Sequence, residues 1–475
     1  MTRPNIVYIF CDELRIDALQ CYGNPYTNMK TQYMDELAEH GILFENCFCN
    51  SPVCVPSRMS TLTGLYPEDT GVYHNEADIP PYQLEGCYTS IPQVLQEHGY
   101  QTASFGKTHL PRGFSPFQYE DQDGSSMSFA KAEKIQDALS PRKNFHSKIG
   151  GYLPEQEDYQ PEHVVKNALS WTKQQKEPYF VRISFTQPHT PIIVKEPYQT
   201  SYDPAVFPDS FVYEEQVSEF EKRFAQLIGL DSLTGQELQS MYAYYYAMVH
   251  WIDDQIGLVM NYLRQEGQLE NTLIILNADH GASRGENGCL AKQIFAPMSQ
   301  RVPLIFSYPA VLAQGKRESK LCANIDLGKT LYGILGIEAP AQFKGDDLLK
   351  SEHDPYVYAS IGYGSSYSYA FPAKFFGSYS ENMGWPRRSC IRKGSYRLDM
   401  NTRINDREVT AEEEDLFFTD KSRYPKENVN LKDDPSVCII LQELKDKLLE
   451  HICHAKEIDA AVLKSTNNTL KAYRS

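Results

Sequence analysis

The run Cys54-Val55-Pro56-Ser57-Arg58, continuing as Met-Ser-Thr-Leu-Thr-Gly64, puts a sulfur nucleophile and a guanidinium within about one helical turn of each other. Pro56 suits the first turn of a helix and Ser57 its capping region, which places Cys54 at a helix N-terminus, an end that attracts anions. Arg58 then shares the face of Cys54, where it can balance charge on a nucleophile. Taken alone, C-x-P-x-R reads more simply as a buried cysteine beside a helix start. Other reactive groups change that balance: Asp12 with Glu13, Lys107 with His109, His189, and Asp279 with His280 each follow a short apolar run. In open α/β sheets ligands bind beyond the carboxyl ends of the strands, so these side chains are expected to converge on one crevice. The cations among them supply the local basic pocket that an anionic substrate needs in a chain of net charge −16.

The elements that must carry these residues are legible as alternation. Apolar runs of strand length lie at Asn5–Phe10, Thr102–Phe105, Tyr179–Phe185, Thr272–Leu276 and Pro303–Phe306. Helical patterns separate them at Met29–His40, Ile91–His98, Pro161–Gln174 and Gly235–Gln265. This pattern predicts an α/β fold, a large mostly parallel sheet sandwiched by helices. Beyond about residue 350 the chain becomes rich in Tyr, Ser and Gly, Ser389–Asp399 reads as a strand pair, and Cys438–His451 as an amphipathic helix. A smaller C-terminal α+β domain follows, with a division expected at 365/366 within the window 351–380. A chain of 475 residues exceeds the size at which one core stops growing, which fits two domains.

Composition is that of an ordinary globular protein, 41% hydrophobic and 23% charged. The acidic balance argues against nucleic acid and against an anionic membrane surface as partners. Eleven scattered cysteines without zinc-like C-x-x-C pairs suit free thiols in a reducing compartment. No apolar segment of signal-peptide type precedes the first strand, and cytoplasm is the expected location.

The Cys54–Gly64 run closely resembles the signature of the formylglycine-dependent (type I) sulfatases of the alkaline phosphatase superfamily, and the resemblance covers nearly the whole chain. Arg3-Pro4-Asn5-Ile6-Val7 leading to Cys11-Asp12-Glu13-Leu14-Arg15 is similar to the family's first strand and acidic pair. Gly106-Lys107-Thr108-His109 resembles its G-K-x-H element, Pro188-His189-Thr190-Pro191 its P-H-x-P element, and Asp279-His280-Gly281 its second metal-binding element. Lys292 falls where the family has an active-site lysine, and Asp326-Leu327 through Gly336-Ile337 looks like the segment that closes the first domain.

That resemblance implies that Cys54 is oxidised to formylglycine (3-oxoalanine) by a formylglycine-generating or anaerobic sulfatase-maturating enzyme. An aldehyde hydrate carries two hydroxyls on one carbon, so one can attack sulfur while the other later expels sulfate; a serine could make the ester but not shed it this way. It implies a divalent metal held by Asp12, Glu13, residue 54, Asp279 and His280. A donor set of this hardness favours Ca²⁺, with Mg²⁺ or Mn²⁺ as alternatives; the extra methylene of Glu13 leaves direct or water-mediated binding open, and the imidazole of His280 leans towards Mn²⁺. Lys107 and Lys292 would contact the sulfate oxygens, His109 would take a proton from the hydrated aldehyde, and His189 with Lys292 would protonate the leaving alcohol. The implied reaction is sulfate ester hydrolysis. A phosphonate or phosphate ester hydrolase of the same superfamily and a non-catalytic binder of sulfated ligands are the rival readings.

For substrate, the segment Phe375 to Arg388 combines aromatic faces with cations, and Trp385, Arg387 and Arg388 are expected to hold a sulfated sugar, the equal alternative being aromatics packed between domains. Three patterns have a plain structural reading: Tyr242–Tyr246 with Trp251 and Ile256 packs on the sheet, the acid run Glu412–Asp415 is a solvated turn, and the sequon at Asn467 carries little information.

Overall fold

The computed structural model describes residues 3–453 apart from 25, 27–28, 74, 76–87, 112, 122–149, 156–157, 177, 211–219, 223–224, 226–232, 363–384 and 406–407. An eight-stranded sheet runs in the order Lys316–Ala323, Gly41–Phe48, Leu304–Ser307, Thr272–Ala278, Asn5–Cys11, Tyr179–Phe185, Gln101–Gly106, Tyr119–Asp121. The central strand Asn5–Cys11 is buried at every residue, as a strand covered on both faces must be, and it pairs in parallel with Thr272–Ala278 and Tyr179–Phe185. All neighbours are parallel except Leu304–Ser307, which runs antiparallel to both of its partners. The sheet is therefore mixed, a refinement of the expected mostly parallel one.

The five expected strands and the long helices stand where the alternation put them. Gln160–Thr172 packs on the strands Tyr179–Phe185 and Gln101–Gly106, and Gly235–Gln265 packs against both that helix and Gln32–Glu39. Thr234 starts the longest helix with a reciprocal cap: its hydroxyl accepts from Glu237 N at 3.3 Å while Glu237 Oε2 accepts from Thr234 N at 2.8 Å. The aromatic stripe of this helix is buried as expected, Tyr245, Tyr246 and Trp251 being at most 1% exposed. No described helix is long and apolar enough to cross a membrane.

Tyr356–Gly362, Trp385–Lys393, Tyr396–Asn405 and Glu408–Asp420 form a separate antiparallel sheet. Its first strand begins upstream of residue 365. One face, with Ile391, Leu398, Met400 and Phe418, packs on Leu444, Leu448 and Ile452 of the helix Cys438–Cys453. The other face carries Ala359, Ile361 and Cys390 into the main core. The acid run Glu412–Asp415 lies inside the last strand, not in a turn. Glu412 pairs with Asn401, and Glu413–Asp415 fall in the register shift before the pairing resumes at Phe417.

Candidate active site

Cys54 opens the helix Cys54–Thr63, all ten residues of which are buried. The cap residue is Val53, without a side-chain cap, and Ser57 is not the capping residue: its hydroxyl donates to Asp279 O and ties the helix to the end of a central strand. At the far end Gly64 closes the helix at φ 66, where a Cβ would stand 2.1 Å from the Phe343 ring. Gly106 does a similar task for the next element. At φ 88, with room only for hydrogen beside Ser184 O, it turns the chain so that Lys107 and His109 enter the crevice.

Around Cys54 Sγ stand Lys292 Nζ at 3.0 Å, His280 Nε2 at 3.2 Å and Asp12 Oδ1 at 3.8 Å. Burial by itself would push the thiol up; Lys292, Lys107, His280 and a hydrogen bond from His109 outweigh it and hold the sulfur well below the usual range. Arg58 bridges the two carboxylates instead of reaching the sulfur. Its Nε donates to Asp279 Oδ2 at 2.9 Å and its Nη2 to Asp12 Oδ2 at 3.1 Å, while Nη1 donates to Lys107 O and Ser184 Oγ. Lys107 Nζ pairs with the same Asp12 oxygen. Burial opposes ionisation of Asp12, as does the nearby Cys54 sulfur, yet Lys107, His189 and Arg58 prevail and lower it to about 2.

Ligand atoms of Asp12, Cys54, Asp279 and His280 all lie within 4.8 Å of one another. His280 Nδ1 lies 2.8 Å from Gly281 O; a carbonyl only accepts, so that nitrogen carries a hydrogen, and in the neutral ring the Nε2 lone pair faces the group. Two carboxylates, an imidazole lone pair and residue 54 thus fit a divalent cation. Glu13 stands outside this group. Its Oε2 accepts from Thr190 N at 3.1 Å, Thr190 Oγ1 at 3.3 Å and Arg284 Nη2 at 3.3 Å, and its Oε1 faces Lys292 Nζ at 3.4 Å.

His189 Nδ1 is bonded to Thr190 O, so its Nε2 accepts from Lys292 Nζ at 2.7 Å. His109, at φ 42, is held below its ordinary range by burial and by Lys107. Sequence reasoning missed Arg284, Thr190, Tyr245 and Ser184, which stand behind these groups. Arg284 lies between Gly281 and Lys292, two positions already singled out, but carried no signal of its own.

Arg388 departs from its expected role. It is 1% exposed, donates through Nε to Asp399 Oδ2 at 2.8 Å and lies over the Phe220 ring at 4.5 Å. The inward face of the small sheet places it in a buried network with Arg397, Glu221, Arg392 and Glu427. Paired and desolvated there, its guanidinium serves the joint between the sheet and the body, not a sugar. The side chains of Trp385 and Arg387, and Phe375 and Phe376 altogether, lie outside the described residues.

A mixed sheet between helix layers, with a cysteine at a helix start beside a group of side chains at strand ends that could hold a cation, is an alkaline phosphatase-like fold. A family model described as Sulfatase matches residues 4–337, and one described as N-sulphoglucosamine sulphohydrolase, C-terminal, matches residues 285–454. The chain belongs to the sulfatase family, whose members are sulfuric ester hydrolases. An ulvan-active sulfatase of Formosa agariphila is 30% identical over 372 residues, covering 74% of this chain and 66% of that one. Among solved structures, the phosphonate monoester hydrolase of Agrobacterium radiobacter matches with a TM-score of 0.73 at 21% identity, covering 94% of this chain and 95% of that one. A protein solved with its substrate D-glucosamine-2-N,6-O-disulfate matches with a TM-score of 0.71 at 21% identity, covering 96% and 99%. At these identities the two structures speak for the fold.

Proposed function

We propose that the protein hydrolyses a sulfate ester on a sulfated carbohydrate, using formylglycine made from Cys54 and a divalent cation, Ca²⁺ by preference. The observation that carries this reading is the setting of Cys54 Sγ between Lys292, His280 and Asp12 at a helix N-terminus. In this reading the sulfur marks where the hydroxyls of the hydrated aldehyde would stand. When bound, the cation would polarise a sulfate oxygen and the formylglycine would supply the attacking hydroxyl. Asp12, Asp279 and His280 would hold the cation, with Arg58 bridging and aiming both carboxylates.

Lys107 and Lys292 suit the sulfate oxygens, where charge grows as the ester bond breaks. The hydrogen bond from Lys292 Nζ to His189 Nε2 gives a route by which a proton reaches the leaving alcohol and is replaced. His109, held below its ordinary range by burial and Lys107 and hydrogen-bonded to residue 54, is suited to take a proton from it. The names of an ulvan-active sulfatase and of a glucosamine disulfate complex support a sulfated sugar as substrate. All ten described cysteines being free supports a reducing location, the cytoplasm.

Peptide mass analysis of the Cys54 segment, with inorganic sulfate release measured on the same preparation, tests the reading. Loss of the thiol mass in favour of the aldehyde, together with sulfate release, supports it. The fold match to a phosphonate monoester hydrolase keeps one rival in play, and faster turnover of aryl phosphonates than of aryl sulfates would favour that rival.

A further inference from the structure

We propose that Arg284 is a positioning residue that turns the Glu13 carboxylate away from the cation group and onto the leaving-group side of the site; this rests on the sulfatase reading. Arg284 is 0% exposed and sits on the two-residue strand Ser283–Arg284, which pairs with Leu290–Ala291 immediately before Lys292. Its guanidinium lies 4.7 Å from the centre of the Tyr245 ring and 3.3 Å, through Nη2, from Glu13 Oε2. Nε and Nη1 have no hydrogen-bond partner among the described residues. A buried cation with one polar neighbour binds that neighbour firmly, because letting go leaves an uncompensated charge.

Glu13 is gripped from two further sides. Its backbone, at φ 64, is fixed by Tyr245, whose hydroxyl donates to Glu13 O at 2.7 Å and accepts from Arg15 N at 2.9 Å. Its Oε2 also holds the backbone and hydroxyl of Thr190, the residue after His189. Oε1 faces Lys292 Nζ. One carboxylate therefore meets Lys292 directly and reaches His189 through the adjoining Thr190, while the four atoms that can share a cation do so without it. An acidic side chain adjacent to Asp12 would otherwise be drawn to a divalent cation, and Arg284 is the group on the far side that competes for it.

The test uses Arg284→Met, which keeps the packing on Tyr245 and removes the charge, and Arg284→Lys, which keeps the charge. Ca²⁺ binding is followed by the thermal shift of metal-stripped protein, and turnover on an alkyl sulfate and on nitrophenyl sulfate. In Arg284→Met, half-saturation should fall to lower Ca²⁺ by about tenfold, the scale on which groups behind a ligand tune affinity. Its loss of kcat/KM on the alkyl ester should exceed that on the nitrophenyl ester by about tenfold or more. Arg284→Lys should restore both. Unchanged or weaker Ca²⁺ binding, or equal losses on the two esters, would overturn the proposal. Should Arg284→Met not fold, Glu13→Gln decides: Ca²⁺ half-saturation within about twofold of wild type supports the placement, and a tenfold or greater rise refutes it. Absent sulfate release by the wild type would sink the sulfatase reading alone, since the Ca²⁺ titrations still report where Glu13 points.

Discussion

Lys292 and His280 lie 3.0 and 3.2 Å from the sulfur of Cys54, and a neutral side chain there would leave them without their partner. Cys54→Ala should therefore fold and bind Ca²⁺ weakly while losing turnover by about 10³-fold or more, since the nucleophile is gone. Circular dichroism and sulfate release check the two halves, and wild-type-like turnover would end the mechanism. Asp279→Ala removes one oxygen ligand and one arm of the Arg58 bridge. Its activity should fall by at least 10–100-fold and its need for added Ca²⁺ should rise, read from activity against free metal. His189→Ala should hurt an alkyl sulfate far more than nitrophenyl sulfate, because a good leaving group needs little protonation; equal losses would refute its role. Asp12, Cys54, Lys107, His109, His189, Asp279 and His280 were legible because strand ends and one helix start point them to a common crevice, whereas Lys292 came from the family resemblance alone. Arg284 was not, since nothing in its neighbours shows that it stands behind Glu13, and Arg388 was misplaced because a sequence does not say which face of a strand is covered.

At the scale of elements, the antiparallel sheet presents a buried charged network together with Ala359, Ile361 and Cys390 to the body of the protein, and apolar side chains to its own helix. Asp399 lies between Arg388 and Arg397, bonded to both at 2.8 Å, and is 1% exposed. Replacing it by Ala would remove the carboxylate that two buried guanidiniums share, leaving Arg397 with Glu221 and Glu427 and Arg388 with Asn401, a change expected to cost about 3–5 kcal/mol. Urea unfolding should show this loss, with nitrophenyl sulfate kcat in the surviving native protein close to wild type; an unchanged midpoint would contradict the network's structural role. Three strands of the main sheet escaped the sequence reading, one of them Tyr119–Asp121, whose three residues are too short for a periodic pattern. Gly41–Phe48 follows its helix with only His40 between them, and Lys316–Ala323 is an edge strand whose opening Lys-Arg-Glu-Ser-Lys reads as a loop. The reversal of Leu304–Ser307 likewise depends on which strands flank it, which local pattern does not encode.

For the whole molecule, two buried carboxylates bear on stability. Burial raises Asp253 and Asp326 to about 7 each, outweighing the backbone N–H groups that both accept. An acid whose folded value lies above its unfolded one binds more protons when folded, so it favours the native state at low pH and loses that contribution as pH rises from about 4 to 7. The net charge of −16 acts in the same direction. The urea midpoint should rise as pH falls from 8 to 6, and Asp326→Asn should flatten the rise; an identical slope in the variant would show that burial does not raise this group.

The burial of the helix Cys54–Thr63 along its full length has a consequence for the order of events in the cell. A maturation enzyme must seat the residues around Cys54 in its own cleft, and in the folded chain none of them can leave without dismantling the crevice. Under the proposed chemistry, oxidation precedes folding, while the segment is still an open peptide. Protein that folds first keeps its thiol for the lifetime of the fold. Incubating folded thiol-form protein with a maturation enzyme should leave Cys54 unconverted, whereas a synthetic peptide spanning the segment should be converted. Conversion of both at similar rates would mean that the crevice opens far more often than its packing implies.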